Sequence, residues 1–285
     1  MRHELAPAKI NLTLAVLGRR SDGYHDIESL VAFAVLGDSL ALTLGRELAL
    51  TVRGPMARAT GPLADNLVLK AARALADRID PLKCGRFILS KRLPAAAGIG
   101  GGSADAAAAL RLLARANHLS LDDSRLREAA RVTGADVPVC LDPRARIMRG
   151  IGEILSAPLD LPRLPAVLVN PGVALATREV FSKLHSTIGR RPLGPDDAVP
   201  SDRDGCLSYL RRHANELEKP AILLEPSVDA TLAALRATPE CRLARMSGSG
   251  ATCFGLFDSM RAATDAARVL RRGHPGWWVR ATTIG

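Results

Sequence analysis

At 285 residues the chain is long enough for one large domain or two of ordinary size, and 47% hydrophobic residues can fill real cores. Aromatic residues make up only 3%, so Leu, Val, Ile and Ala must do the filling. No apolar run reaches the roughly 18 residues of a membrane span, and Met1-Arg2-His3-Glu4 is too polar to open a signal peptide, so no membrane partner is expected. Five scattered cysteines without a Cys-x-x-Cys argue against a disulfide framework and a zinc site, and point to a reduced cytoplasm. A net charge of +10 raises nucleic acid as a partner. The arginines, however, are dispersed and lack interleaved aromatics. No nucleic-acid partner is expected, while a basic surface suits anionic metabolites.

Residues 8–16 alternate, with Ile10, Leu12, Leu14 and Val16 on one face and Lys9, Asn11 and Thr13 on the other. This pattern predicts a half-buried strand. Lys9 and Asn11 then point the same way, and the small Ala6-Pro7-Ala8 approach would let a ligand come close. Residues 18–25 form a turn cluster that sets Tyr24 on a loop beside His25. Strand signals at 29–36, 39–44 and 48–52 read as a meander. Asp65-Asn66 caps a helix whose Val68, Ala71, Ala72, Leu75 and Ile79 fall at helical spacing.

A strand over 87–91 then runs into Leu93-Pro94-Ala95-Ala96-Ala97-Gly98-Ile99-Gly100-Gly101-Gly102-Ser103-Ala104-Asp105, and an alanine-rich helix over about 103–116 leaves it. Glycines let backbone N–H groups turn inward, and the helix start adds unpaired donors at the positive end of a dipole. Together they suit a phosphate chain. No lysine follows Gly102 as a P-loop requires, and the third glycine of the dinucleotide fingerprint would fall on Ser103.

Further on, Ser120 and Asp123 open a helix that Gly134 stops, with Ala135-Asp136-Val137-Pro138 just beyond. A hairpin follows, turning at Gly150-Ile151-Gly152. Pro158, Pro162 and Pro165 mark the boundary between a domain over 1–157 and one over 158–285. Beyond it come a strand over 166–170, a helix capped by Thr177, a mobile loop or linker over 186–205, and helices near 207–214 and 227–237. A second glycine and hydroxyl loop, Met246-Ser247-Gly248-Ser249-Gly250-Ala251-Thr252, feeds a strand over 253–257. A helix over 261–272 and a strand over 277–282 close the chain.

Three motifs thus stand in a definite order: Pro7-Ala8-Lys9-Ile10-Asn11-Leu12, the Leu93–Asp105 glycine stretch, and Ser247-Gly248-Ser249-Gly250. In that order they resemble the GHMP kinase superfamily, the group of galactokinase, homoserine kinase and mevalonate kinase. Arg20-Ser21-Asp22-Gly23-Tyr24-His25, Asp65-Asn66-Leu67, Gly134-Ala135-Asp136-Val137-Pro138, and Pro171-Gly172-Val173 with Thr177 and Phe181 narrow the likeness to the branch acting on a cytidine-diphosphate-linked sugar alcohol. It covers nearly the whole chain.

The resemblance implies an α+β fold of two domains, ribosomal-protein-like at the N-terminus and ferredoxin-like at the C-terminus, with ATP in the glycine loop between them. It implies Lys9 and Asp136 as the catalytic pair. Asn66, Lys91, Pro94, Ala97, Gly98, Ile99, Gly100, Gly101, Gly102 and Ser103 would bind the nucleotide. Asn11, Tyr24, His25, Thr177 and Phe181 would hold the small-molecule substrate, Tyr24 and Phe181 sandwiching its cytosine. ATP and Mg²⁺ are the implied cofactors, with no dedicated metal-ligand set and Ser103 touching either phosphate or metal; a monomer or weak homodimer is implied. One departure stands out: Ala95-Ala96-Ala97 follows Leu93-Pro94 where the family often has Met-Gly-Ala or Met-Gly-Gly. The chemistry fits, because phosphoryl transfer needs positioning, a charge clamp and a group to take the hydroxyl proton. Asp136 is a suitable base, steadied by Lys9.

Overall fold

The computed structural model describes residues 1–184 and 198–285. Strands β1 (Arg2–Asn11) and β2 (Ala15–Arg19) replace the single strand expected over 8–16. The break is held open by long-range bonds: the Leu12 amide donates to the Leu30 carbonyl at 2.8 Å, and the Leu14 amide to that of Ala214 at 3.0 Å. Nor is the segment half-buried, since Lys9, Asn11 and Thr13 are 2–4% exposed. Its polar face is covered because each of those side chains has a tertiary partner.

Strand β3 (His25–Leu44) runs for 20 residues where two strands and a turn were expected. Gly37-Asp38 looked like the turn, yet both residues serve close approach instead. A Cβ on Gly37 would lie 2.3 Å from the Ala6 carbonyl oxygen, and the Asp38 carboxylate is consumed by bonds to residues 91–93. Strand β4 (Ala49–Arg53) pairs in parallel with β5 (Gly85–Ser90), so the meander is not formed; helix α1 (Leu67–Ala76) makes the crossover between them.

Next come α2 (Gly101–Ala116), α3 (Ser124–Thr133) and α4 (Val137–Leu141). Two caps and a stop appear as expected: the Asn66 side chain accepts from the Val68 amide, that of Asp123 from the Arg125 amide, and Gly134 ends α3, while Ser120 lies in a turn before the helix and takes no part in its cap. Helix α4 was not anticipated; Pro138 is tolerated there because it falls in the first turn. The hairpin appears as β6 (Arg146–Gly150) and β7 (Ile154–Leu155), followed by β8 (Leu164–Asn170) and α5 (Thr177–Ser182).

Of the mobile loop expected over 186–205, residues 186–197 lie outside the described residues. Its end is helical, since α6 (Arg203–Arg212) starts where the Asp202 side chain accepts from the Gly205 amide at 2.8 Å. Helix α7 (Glu218–Leu224) and strand β9 (Cys241–Met246) were also missed. The expected α8 (Ser227–Arg236), β10 (Cys253–Phe257), α9 (Met260–Gly273) and β11 (Trp278–Ile284) complete the chain.

The chain divides into two compact units. The first comprises 1–9, 36–95 and 100–143. In it the second half of β3 pairs antiparallel with β5, Ser39 opposite Ser90, and β4 lies on the far side of β5. Helix α2 forms the centre of this unit. Ala104 and Ala106 through Leu113, Arg111 apart, are 0% exposed, and alanines let α1 and α4 pack close.

The second unit comprises 10–35, 96–99 and 144–285. Its sheet runs β11-β8-β10-β9, antiparallel throughout, with Val279 opposite Val169 and Val169 opposite Cys253. The first half of β3 pairs with β2 and β6.

Candidate active site

In the first unit, Lys9 near the end of β1 places its Nζ 2.8 Å from Oδ2 of Asp136, the residue that opens α4. The lysine side chain is 4% exposed and that of Asp136 34%, so the ammonium is sheltered and the carboxylate faces outward. The pair lies against the glycine loop. A Cβ on Gly100 would lie 3.1 Å from Cβ and 3.3 Å from Cε of Lys9. Gly100 takes the left-handed conformation, φ 61°, which a side chain would strain. It stands at the N-terminal cap of α2, whose first amides and positive dipole end face the loop.

The rest of the loop is organised from beneath. Gly101 sits over Lys91, with its would-be Cβ 3.3 Å from Nζ, and Gly102 sits over Leu67, the first residue of α1 after Asn66. Ser103 is partly open. Lys91 itself is 3% exposed and is held by two carboxylates, Asp38 Oδ2 and Asp105 Oδ2, each at 2.6 Å. It therefore supports the loop from the interior instead of offering its ammonium to a ligand. Burial, reinforced by the charge of Asp38 and opposed by Lys91, pushes the Asp105 carboxyl up to about 8. Burial works against the charge of Lys91, but the two carboxylates outweigh it and raise its pKa.

In the second unit, the glycine loop's Ala96 to Ile99 segment is locked to the Ser247–Gly250 turn. Ser247 Oγ donates to the Gly98 carbonyl at 2.9 Å and accepts from the Asn11 amide at 3.1 Å. A Cβ on Gly98, φ 73°, would lie 2.4 Å from the Ser247 carbonyl oxygen. Ala97 and Ile99 point inward, 4% and 1% exposed, so any role in binding falls to their backbones. Ala96, which stands where that family pattern has glycine, has φ 48°, a left-handed conformation better suited to glycine.

The expected substrate residues meet in part. Asn11 is 2% exposed, its Nδ2 donating to Ser29 Oγ at 2.7 Å. Thr177 is the first residue of α5 rather than its cap, and its Oγ1 lies 2.9 Å from Ser249 Oγ. The ring that stacks on Phe181 is His25, while Tyr24 is 60% exposed on the adjoining turn. Burial, with the charge of Arg19, lowers the His25 pKa below the usual imidazole value, which favours a neutral ring.

Residues missed by the sequence reading hold these pieces. Arg111 donates to the Leu5 and Cys140 carbonyls at 2.7 and 2.6 Å and to Glu4 at 2.9 Å, joining the strand of Lys9 to the helix opened by Asp136. Asn215 donates from Nδ2 to the Met246 and Gly248 carbonyls, both at 2.8 Å, bracing the second glycine turn. Buried Arg245 donates to the Leu12 and Leu210 carbonyls, and burial lowers its pKa to about 10. A buried polar residue among apolar neighbours was the available signal. Among the described residues no cluster of three or more His, Cys, Asp or Glu is arranged to hold a metal ion.

A glycine-rich helix start beside a lysine–aspartate pair is an arrangement suited to phosphoryl transfer. The chain matches the model of the GHMP kinases N terminal domain over 66–142 and that of the GHMP kinases C terminal domain over 203–275. Among its relatives is the 4-diphosphocytidyl-2-C-methyl-D-erythritol kinase of Rhodopseudomonas palustris, 55% identical over 98% of this chain and 97% of that protein. The enzyme of the same name from Methylobacterium radiotolerans is 58% identical, again over 98% and 97%. The chain belongs to the GHMP kinase family. A crystal structure of 4-(cytidine 5′-diphospho)-2C-methyl-D-erythritol kinase superposes with a TM-score of 0.80 at 35% identity, covering 100% of this chain and 99% of that one. Homoserine kinase from Cytophaga hutchinsonii, at 20% identity and a TM-score of 0.69 over 97% and 92%, shares the fold.

Proposed function

We propose that the protein transfers the γ-phosphoryl group of ATP to the 2-hydroxyl of 4-diphosphocytidyl-2-C-methyl-D-erythritol, a step of the non-mevalonate isoprenoid pathway in the cytoplasm. The observation that carries this reading is the 2.8 Å Lys9–Asp136 pair set against Gly100 at the start of α2. The relatives' shared name supplies the substrate.

In the first unit, α2 amides and the loop glycines bind and orient the phosphates, which leaves the protein little covalent work. Asp136, with its outward carboxylate, takes the proton of the acceptor hydroxyl as it attacks. Lys9 orients that carboxylate and steadies the developing alkoxide charge. In the second unit, His25, Phe181, Thr177 and Asn11 serve the acceptor, with Tyr24 and Phe181 as the faces for its cytosine.

A Mg²⁺ would come with the phosphates, since Mg²⁺ usually keeps waters and takes only one or two carboxylates. The Ser103 hydroxyl would be its contact on this chain, and its contribution would be to neutralise phosphate charge. The same reading divides the chain into an ATP-binding part over 1–157 and a second part over 158–285, and treats it as a monomer or weak homodimer without a nucleic-acid partner. Incubation with ATP, Mg²⁺ and a panel of alcohols, followed by ³¹P NMR, tests it. The expected result is one new phosphomonoester on the cytidine-diphosphate sugar alcohol alone; equal transfer to homoserine or mevalonate contradicts it.

A further inference from the structure

The two ends of the glycine loop meet at one buried cluster. On the entering side, Asp38 Oδ1 accepts from the Arg92 and Leu93 amides at 2.5 and 2.9 Å, where β5 gives way to the loop. On the leaving side, Asp105 lies in the second turn of α2, and its Oδ2 accepts from Lys91 Nζ. The same ammonium donates to Asp38 Oδ2. The backbone of Lys91 is itself fixed, its amide donating to the Arg53 carbonyl at 2.7 Å and its carbonyl accepting from Met56 at 3.2 Å.

We infer that Asp38, Lys91 and Asp105 form a clasp that closes the base of the glycine loop, and that Asp105 is a positioning residue for nucleotide binding. Three features favour a positioning role over simple core filling. An apolar cluster would satisfy burial without desolvating three ionisable groups, which is costly unless geometry repays it. Lys91 Nζ sits directly under Gly101, so the ammonium fixes the height of the very backbone that would face phosphate. Asp105 Oδ1 is buried with no hydrogen-bond partner among the described residues. The carboxyl therefore bonds Lys91 through Oδ2 while its other oxygen stays without a partner. A loop rich in glycine has many conformations to lose on ordering, and closing its ends in advance removes part of that cost.

This inference rests on the reading that ATP binds the glycine loop, and the test separates the two. Asp105→Leu removes the Lys91–Asp105 bond that ties the clasp to α2 but leaves Lys91 and Asp38 as a balanced pair. Asp105→Asn keeps the shape and an acceptor for Lys91. Steady-state kinetics of both folded variants should show the ATP KM raised about tenfold or more in Asp105→Leu. The acceptor KM and the kcat at saturating ATP should stay within threefold. Asp105→Asn should return the ATP KM to within threefold of the unmodified enzyme. A merely structural role would lower thermal stability without this split. An ATP KM within twofold in Asp105→Leu, or Asp105→Asn as impaired as Asp105→Leu, overturns the clasp. Should Asp105→Leu fail to fold, Asp105→Ala takes its place with the same two outcomes. Failure of the ATP reading itself would show differently, as no ATP-dependent turnover by the unmodified enzyme.

Discussion

His25 and Phe181 stack with ring centroids 4.9 Å apart and planes inclined by 27°. A base held between two rings needs van der Waals contact of about 3.5 Å on each face, which this spacing does not leave. On the proposed reading the cytosine would stack on the outer face of Phe181 or part the two rings, with the exposed Tyr24 as its second face. Stacking contributes about 1–3 kcal/mol per base in nucleic-acid sites. Phe181→Ala is expected to raise the acceptor KM by about tenfold and Tyr24→Ala by less, with the ATP KM unchanged in both. Equal losses for both ligands in steady-state kinetics would return these rings to a structural role.

Gly98 has no room for a side chain. Its would-be Cβ lies 2.4 Å from the Ser247 carbonyl oxygen and 2.7 Å from the Gly250 amide nitrogen, and its φ is 73°. Left-handed backbone costs an alanine roughly 1–2 kcal/mol before any clash. Gly98→Ala should lose more than that in urea unfolding and should weaken ATP binding by calorimetry. A variant as stable as the parent would show that the two glycine turns are not locked together in solution.

Arg111 joins three acceptors on two elements, and its side chain is 9% exposed. Arg111→Met keeps the apolar stem but strips the Leu5 and Cys140 carbonyls of their donor. Leaving buried acceptors or a buried charge unpaired costs about 2–5 kcal/mol. Thermal unfolding should register that loss, and kcat should fall too, because the segments carrying Lys9 and Asp136 lose their tie. Unchanged stability would mean that water replaces the guanidinium.

Asp105 gives stability a pH dependence of definite sign. Its carboxyl is raised from 3.8 to about 8 in the folded protein, so between those values the folded state holds a proton that the unfolded chain releases. The contribution is complete below about 4 and is lost as pH rises through about 8. The melting temperature of the unmodified protein should therefore fall relative to that of Asp105→Asn from pH 5 to pH 8.5. Parallel curves would show that the carboxyl is ionised throughout.

Local chemistry was legible in the sequence and tertiary chemistry was not. Asn66, Asp123 and Gly134 act as caps and stops within a few residues of themselves, so their roles follow from order along the chain. The glycine loop was legible for the same reason. Gly37-Asp38 misled because turn-forming residues also serve backbone approach and buried carboxylate bonding, and only the partners Ala6 and Lys91 decide which. Tyr24 and His25 are neighbours with opposite facing, so the ring that meets Phe181 depends on the turn held by Asp22, whose carboxylate accepts the Tyr24 amide. Lys91 read as the end of a strand and Asp105 as part of a helix start; nothing in either segment names the other.

The Lys9–Asp136 ion pair is the centre of the proposed mechanism, and single-turnover phosphoryl transfer from ATP tests it most directly. A positioned base contributes about 10²–10⁴-fold. Asp136→Asn should lose rate on that order while still binding ATP, and Lys9→Met should fall similarly. The double variant should lose far less than the product of the two, because the groups act as one unit. Near-normal turnover by a folded Asp136→Asn enzyme, or losses that multiply in the double variant, would contradict the assignment.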